Sequence, residues 1–244
     1  MTDLPGAGAT ALALRRGALV SSGQPTMMVL KDSPQASLTA SKLIARGGVV
    51  AFLTDTFYGL GANPFDKSAV GRINSLKGRE AAGKPILILI GDEAEAARFI
   101  EHSSEAFKVA SSAFWPGPLT LVAAARASLP EEITAGSGTV GLRLPEDLSV
   151  RQFLRACGGA LTATSANPAG APPARTARDV ALYFPDALDL IIDGGAAQRD
   201  QPSTVLDTSG HSPRLIREGA LSRRELQSTL RPLGVELEDE RPHV

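Results

Sequence analysis

From residue 27 onward, short apolar runs alternate with segments of helical period, and this alternation restricts the fold more than any other feature of the chain. "GGVVAFL" (47–53) and "PILILI" (85–90) are too short for helices and rich in β-branched or apolar residues, so they predict interior strands. "MMVL", "PLTLVAAA", "TVGLRL", "ALTATS", "LDLIID", "STVLD" and "RLIRE" read as further strands. Between them, Ala40, Leu43 and Ile44 mark one face of a helix that Gly47 should stop, and Ala69, Ile73 and Leu76 mark another. "EAEAARFI", "SEAFKVASSAF" and residues 147–157 also have helical period, while Thr176 with Asp179 and Ser222 with Glu225 have capping-box spacing. The order of elements predicts an α/β fold with a mixed sheet and flanking helices in one domain, residues 27–232. A flexible tail is expected over 1–26 and a solvated acidic tail over 233–244.

Bulk properties narrow the functions available. At 244 residues the chain favours one large core over two, and 43% hydrophobic with 21% charged residues is a globular composition. The net charge of −1 argues against a broadly cationic surface for nucleic acid, so a polyanion would have to be met by a few placed residues. No run of eighteen apolar residues predicts a membrane span. The first 25 residues carry Arg15 and Arg16 in a tract of small residues that lacks the apolar stretch of a secretory signal; a loosely ordered tail is expected, with an organellar presequence as the alternative, and the expected location is cytoplasmic. Cys157, the single cysteine, falls at helical spacing with Val150, Phe153 and Leu154 and reads as core filler. The three histidines, His102, His211 and His243, lie far apart, and no metal site is expected.

Three polar stretches interrupt this apolar framework. "TDTFYGLG" (54–61) ends a predicted strand with Thr54, Asp55, Thr56 and Tyr58, which would line a crevice at a strand's carboxyl end in an open α/β sheet. The alternative is an ordinary turn whose hydroxyls satisfy the local backbone. "LKGREAAGKP" (76–85) places Lys77, Arg79 and Lys84 in what reads as an exposed, glycine-rich loop suited to phosphate, or as a helix end whose dipole Lys77 complements. "TSANPAG" (164–170) sets the Ser165 hydroxyl beside the Asn167 amide after a strand, which suits phosphate or ribose oxygens and also suits a turn. Two further features stand in apolar surroundings. Trp115, in "WPGPLT", reads as core, whereas Arg143, in "VGLRLP", requires an anionic partner from the protein or a ligand.

Together the blocks "TDTFYGLG", "KGR" with "KP", "WPGPLTL", "VGLRLP", "ATSAN", "DGG", "PSTVLD" and "IREG", in that order over residues 38–219, resemble the YrdC-like family, the threonylcarbamoyl-AMP synthases, in its single-domain form. The resemblance implies a twisted mixed sheet with a concave ligand-binding face. It also implies a reaction in which L-threonine and bicarbonate form a carbamate that attacks the α-phosphate of ATP, giving L-threonylcarbamoyladenylate and pyrophosphate. The product would pass to a tRNA threonylcarbamoyl transferase complex that modifies the adenosine beside the anticodon, which leaves room for tRNA or RNA contact.

By position, Lys77, Arg79, Ser165 and Asn167 match the family's K-x-R and S-x-N signature for the ATP phosphates. Arg143 is expected to join them, Ser203 and Arg217 to close the nucleotide side, and Thr54, Thr56, Tyr58 and Thr120 to surround threonine. Lys77, Arg79 and Arg143 would carry the catalytic charge, with Mg2+ held mainly by the triphosphate. Four positions depart from the pattern: Glu80 for a common proline, Leu89 for a frequent histidine, Ala169 for a frequent serine and Asp200 for a common glycine. Two alternatives accompany this reading, a paralogue acting on another carbamoyl compound and an RNA-binding module.

Overall fold

The computed structural model describes residues 27–78 and 84–239. The tail expected over 1–26, Arg79, Glu80 and residues 240–244 lie outside the described part.

Strand β1 (Met28–Lys31) leads to α1 (Pro34–Ile44), where the Ser33 side chain accepts from the Ala36 amide and proline occupies the first turn. Gly47, at φ 82, lets the chain leave the helix and enter β2 (Val50–Leu53), which pairs antiparallel with β3 (Tyr58–Gly61). Next come α2 (Lys67–Leu76), capped by Asp66, and β4 (Ile88–Ile90). β4 is shorter than "PILILI" suggests: Pro85 has no amide hydrogen, and the Ile86 amide donates to Ile133 O at 2.8 Å instead of to a ladder. The expected helix over "EAEAARFI" forms as a 3₁₀ segment, Glu93–Arg98, followed by α3 (Glu105–Phe114) and β5 (Leu119–Ala124).

A short α4 (Glu131–Thr134), not foreseen from sequence, ends at Ala135 in the left-handed region (φ 50). β6 (Thr139–Arg143), α5 (Leu148–Ala156), β7 (Ala160–Thr162), β8 (Thr164–Ser165), α6 (Ala177–Tyr183) and β9 (Leu190–Asp193) follow. The chain continues through β10 (Thr204–Asp207), β11 (Arg214–Arg217), α7 (Arg223–Leu230), a 3₁₀ turn (Arg231–Leu233) and β12 (Glu238–Asp239). Both expected capping boxes form, at the starts of α6 and α7.

The mixed α/β architecture expected from the sequence forms with its strands divided between two mixed sheets, β1-β9-β2-β3-β8 and β12-β11-β10-β5-β6-β4-β7. "ALTATS", expected as one strand, joins them: β7 pairs with β4 in one sheet and β8 with β3 in the other. At the crossing, Thr162 Oγ1 donates to Leu60 O (3.1 Å) and accepts from the Ala62 amide (2.9 Å). These two bonds bring the "TSAN" turn alongside the end of the Tyr58 strand.

Strand periodicity then sorts side chains between two cores. Ala51, Tyr58 and Leu60 join Ile88, Leu121 and Leu142 in a large core shared by both sheets, whereas Val50 and Phe52 join Leu89, Phe153, Leu161 and Cys157 beneath α1 and α5. Each fully buried leucine or isoleucine contributes about 1.5–3 kcal/mol of transfer free energy.

The segment expected to be a solvated acidic tail is packed over residues 235–239. Leu237 is buried, Gln227 donates to Val235 O and accepts from the Leu237 amide, and β12 pairs in parallel with β11. Apolar Val235 and Leu237 outweigh the flanking carboxylates, which point out. Among the described residues no helix is long and apolar enough to cross a membrane.

Candidate active site

The stretch after β2 forms a turn held from within. Thr54 Oγ1 donates to Phe57 O (2.7 Å) and accepts from the amides of Thr56 (3.1 Å) and Phe57 (3.3 Å), and the Thr54 and Thr56 hydroxyls are 3.1 Å apart. The local role open for a hydroxyl at this position is therefore realised by Thr54, and its effect is to fix Asp55 at the tip. Tyr58 is fully buried; its hydroxyl donates to Gly195 O (2.8 Å) and accepts from the Gly194 amide (3.1 Å). Burial, then the nearby Asp193 carboxylate, pushes its pKa up to about 12. Tyr58 thus fastens the strand end to the loop after β9.

Lys77 lies at the C-cap of α2 and is only 2% exposed, which corrects the exposed loop expected from its sequence neighbours. Its stem passes inward beneath the turn after β8. There, within the described residues, Nζ donates to Ser165 O (2.6 Å), Ser165 Oγ (3.4 Å), Asn167 O and Asn167 Oδ1 (3.3 Å). The Asn167 amide nitrogen in turn donates to Pro168 O (3.0 Å) and Ala171 O (2.6 Å), which fixes which oxygen faces the lysine. Lys77, Ser165 and Asn167 are therefore one cluster.

Arg143, at the end of β6, finds the anionic partner its apolar strand requires. Nη2 donates to Asp55 Oδ2 and Nε to Gly117 O (3.2 Å), with the two charged side chains only 3% and 4% exposed. Gly117 has no substitute here, because a Cβ would stand 2.3 Å from Phe114 O. Burial lowers the pKa of Arg143 and the Asp55 charge opposes that shift. One register step past the Leu121–Leu142 pair, Thr120 meets Ser203 with their hydroxyls 2.9 Å apart. Arg217, from β11, donates through Nη2 to Ser203 O (2.8 Å) and Oγ (3.4 Å). Partial burial lowers its pKa, and the neighbouring Arg143 charge lowers it further.

These elements line up as one arc: Lys77 on the 165–167 turn, that turn on β3, β3 on the 54–57 turn, Asp55 on Arg143, and β6, which carries Arg143, paired with β5, whose Thr120 meets Ser203 and through it Arg217. Every described residue expected at the site lies on it. The arc can present two guanidinium groups and several hydroxyls to a polyanion, a chemistry of charge neutralisation rather than of a protein nucleophile. Cys157, pushed up to about 12 by burial, is no thiolate at neutral pH. Among the described residues no group of three His, Cys, Asp or Glu side chains is placed to hold a metal. A cavity of 780 Å³ between α1 and α5 touches the arc only near Thr54 and Gly194.

The departures from the family pattern fall mostly away from the arc. Leu89 packs in the second core, Ala169 is exposed, and Asp200 points outward to pair with Arg175 (2.7 Å). Sequence reading missed the partnership of Asp55 with Arg143 and the carbonyl of Gly117. The signal for the first was present, since Arg143 demanded an anion and Asp55 is the one acid inside the polar strand end.

The Sua5/YciO/YrdC family model, described as "Telomere recombination", matches residues 42–219. A threonylcarbamoyl-AMP synthase of Pyrococcus abyssi is 36% identical over 191 residues, which are 78% of this chain and 56% of that one. A threonylcarbamoyl-AMP synthase of Cellvibrio japonicus is 34% identical over 69% of this chain and 88% of its own length. Among solved structures, P. abyssi Sua5 complexed with L-threonine superposes with a TM-score of 0.79 at 32% identity, over 87% of this chain and 62% of that one. The chain thus spans little more than half of the archaeal relative and most of the bacterial one. Matched over most of its length by the family model and by relatives above 30% identity, the chain belongs to the Sua5/YciO/YrdC family.

Proposed function

We propose that this chain makes L-threonylcarbamoyladenylate from L-threonine, bicarbonate and ATP. The observation that carries the reading is the continuous arc from Lys77 to Arg217, which gathers the cations and hydroxyls such a reaction needs. Threonine and bicarbonate condense to a carbamate with loss of water. A carbamate oxygen then attacks the α-phosphorus, the bond from that phosphorus to the bridging oxygen of the β-phosphate breaks, and pyrophosphate leaves with the charge.

In-line displacement by an existing oxyanion asks for positioning and charge neutralisation. Arg143 and Arg217 meet the phosphates from one side, and Lys77 organises the Ser165–Asn167 turn on the other, with Arg79 assigned beside it by sequence position. Thr54, Thr56 and Thr120 bound the small polar side of the pocket, and Tyr58 holds its wall. Magnesium arrives with the triphosphate. The threonylcarbamoyl adenylate then supplies a separate transferase that acts on tRNA.

The test is to incubate the purified chain with ATP, magnesium and bicarbonate, with and without each amino acid, and to identify any adenylate by mass. Pyrophosphate release that needs both threonine and bicarbonate is expected. Release indifferent to threonine would assign the site to another carbamoyl compound, and salt-sensitive RNA binding without nucleotide turnover would make it a binding module.

A further inference from the structure

Arg175 makes more contacts than its place in the chain requires. It directly precedes the capping box of α6, which Thr176 and Asp179 complete without its side chain. That side chain turns away from the helix. Nη2 donates to Ala197 O (2.9 Å), Nη1 donates to Asp200 Oδ1 (2.7 Å), and the guanidinium lies over the Phe57 ring, 5.8 Å from its centre. The Ala197 amide donates back to Arg175 O (2.8 Å). One residue therefore ties together two segments that are distant in sequence.

These segments are the 54–57 turn and the loop that joins β9 to β10. The loop leaves β9 through Gly194 and Gly195, the second at φ 90, and both are fastened to the Tyr58 hydroxyl. It reaches β10 through Ser203, whose hydroxyl meets Thr120. Tyr58 and Thr120 both belong to the threonine end of the arc, so the loop spans that end from one wall to the other. Between these anchors Ala197 is the one buried residue of 194–201, and Arg175 holds both of its backbone polar groups. Farther along, Arg199 pairs with Glu146, and the charges of both reach Arg143. Exposed ion pairs add little to folding, so the stability of α6 does not account for a side chain placed in this way.

We infer that Arg175 is a positioning residue for the threonine pocket: its guanidinium straps the 194–202 loop to the 54–57 turn, so that the loop forms the pocket's outer wall. The inference rests on the reading of that end of the arc as the threonine site. Arg175 acts through Ala197 and Phe57 and not on the substrate. A shift of Phe57 passes to Thr56, its chain neighbour, and to Thr54, whose hydroxyl bonds both the amide and the carbonyl of Phe57. The nucleotide side has bonds of its own, from Arg217 to Ser203 O and from Thr204 Oγ1 to Leu221 O, and does not depend on the strap.

Arg175→Ala removes the three side-chain contacts and keeps the main-chain one. In hydrogen exchange followed by mass, the amides of 194–202 are expected to exchange about fivefold faster or more, with those of β10 unchanged. In calorimetry, L-threonine is expected to bind about three- to tenfold more weakly, with ATP within about twofold of wild type. A merely structural role would weaken both ligands together or neither. Asp200→Gly removes only the exposed pair and is expected to stay within about twofold of wild type in both measurements.

Unchanged exchange of 194–202 in Arg175→Ala overturns the inference, as does faster exchange with unaltered threonine affinity. An effect of Asp200→Gly as large as that of Arg175→Ala also overturns it, because the strap would then be a surface ion pair. Should Arg175→Ala not fold, Arg175→Lys, whose point charge cannot reach Ala197 O and Asp200 together, is read in the same way. The two proposals fail separately. Threonine-dependent adenylate formation with unchanged loop exchange in Arg175→Ala sinks only the strap, whereas faster exchange and weaker threonine binding beside a wild-type chain that makes no adenylate sink only the reaction.

Discussion

Lys77 and Arg143 are both buried cations on the same arc, and their surroundings differ. The described chain surrounds the Lys77 ammonium with neutral oxygens of residues 165 and 167, whereas the Arg143 guanidinium meets the carboxylate of Asp55. Carbonyl, hydroxyl and amide oxygens hold an ammonium through their dipoles from several directions. A carboxylate cancels the charge but fixes the direction of a planar fork. One cation therefore organises a turn, and the other waits in a set orientation.

Replacing each cation separates these roles. Lys77→Ala should have the largest effect, because it removes the common donor of Ser165 O, Asn167 O and Asn167 Oδ1 together. We expect about 1–3 kcal/mol lost in urea unfolding and adenylate formation down about a hundredfold. An unchanged unfolding midpoint would show that the 165–167 turn does not depend on the lysine. Arg143→Lys should matter less for folding, since a cation remains beside Asp55. A point charge cannot reach both Asp55 and Gly117 O, so kcat/KM should fall about ten- to a hundredfold. Wild-type kcat/KM in that variant would mean that charge, and not fork geometry, is what the site uses.

Tyr58 shows a third solution to burial, which is to remain neutral. The chain has two tyrosines, Tyr58 and Tyr183. Tyr58, pushed up to about 12, should ionise well above an ordinary 10 in an ultraviolet titration of the folded chain. The sign follows from linkage: a folded pKa above the unfolded one favours the protonated form in the fold. Its stabilisation is complete below pH 10 and is lost as pH rises toward 12. If Tyr58 ionises near 10 with the fold intact, its hydroxyl is not buried beside Asp193 as described.

What the sequence disclosed about this arc was its local half. The capping boxes at Thr176 and Ser222 and the stop at Gly47 are interactions over three or four residues, and local residue spacing reveals them. The need of Arg143 for an anion was equally legible, because a guanidinium in "VGLRLP" admits few alternatives. The burial of Lys77 was not. Its partners among the described residues are 88 and 90 residues away, and a stretch of lysine, glycine and arginine looks the same whether its first residue turns inward or outward. The division of "ALTATS" between two sheets is also a tertiary event, set by Thr162 bonding to the main chain of Leu60 and Ala62. Similarly, the acidic residues of the C-terminal segment concealed that Val235 and Leu237 would pack inward.

The smallest effect tests whether the far end of the arc is built from main chain or side chain. Ser203 Oγ touches both Thr120 and Arg217, yet the shortest bond from Arg217 goes to the Ser203 carbonyl, which any residue supplies. Ser203→Ala should therefore leave Arg217 in place and cost only the hydroxyl contact to buried Thr120, about 0.5–1.5 kcal/mol in urea unfolding. The KM for ATP should rise only a few-fold, far less than the loss expected for Arg143→Lys. A loss as large as that of Arg143→Lys would mean that the serine hydroxyl itself meets the nucleotide. The division of labour would then extend to a third kind of group, in which a neutral side chain, and not a cation, sets the ligand's position.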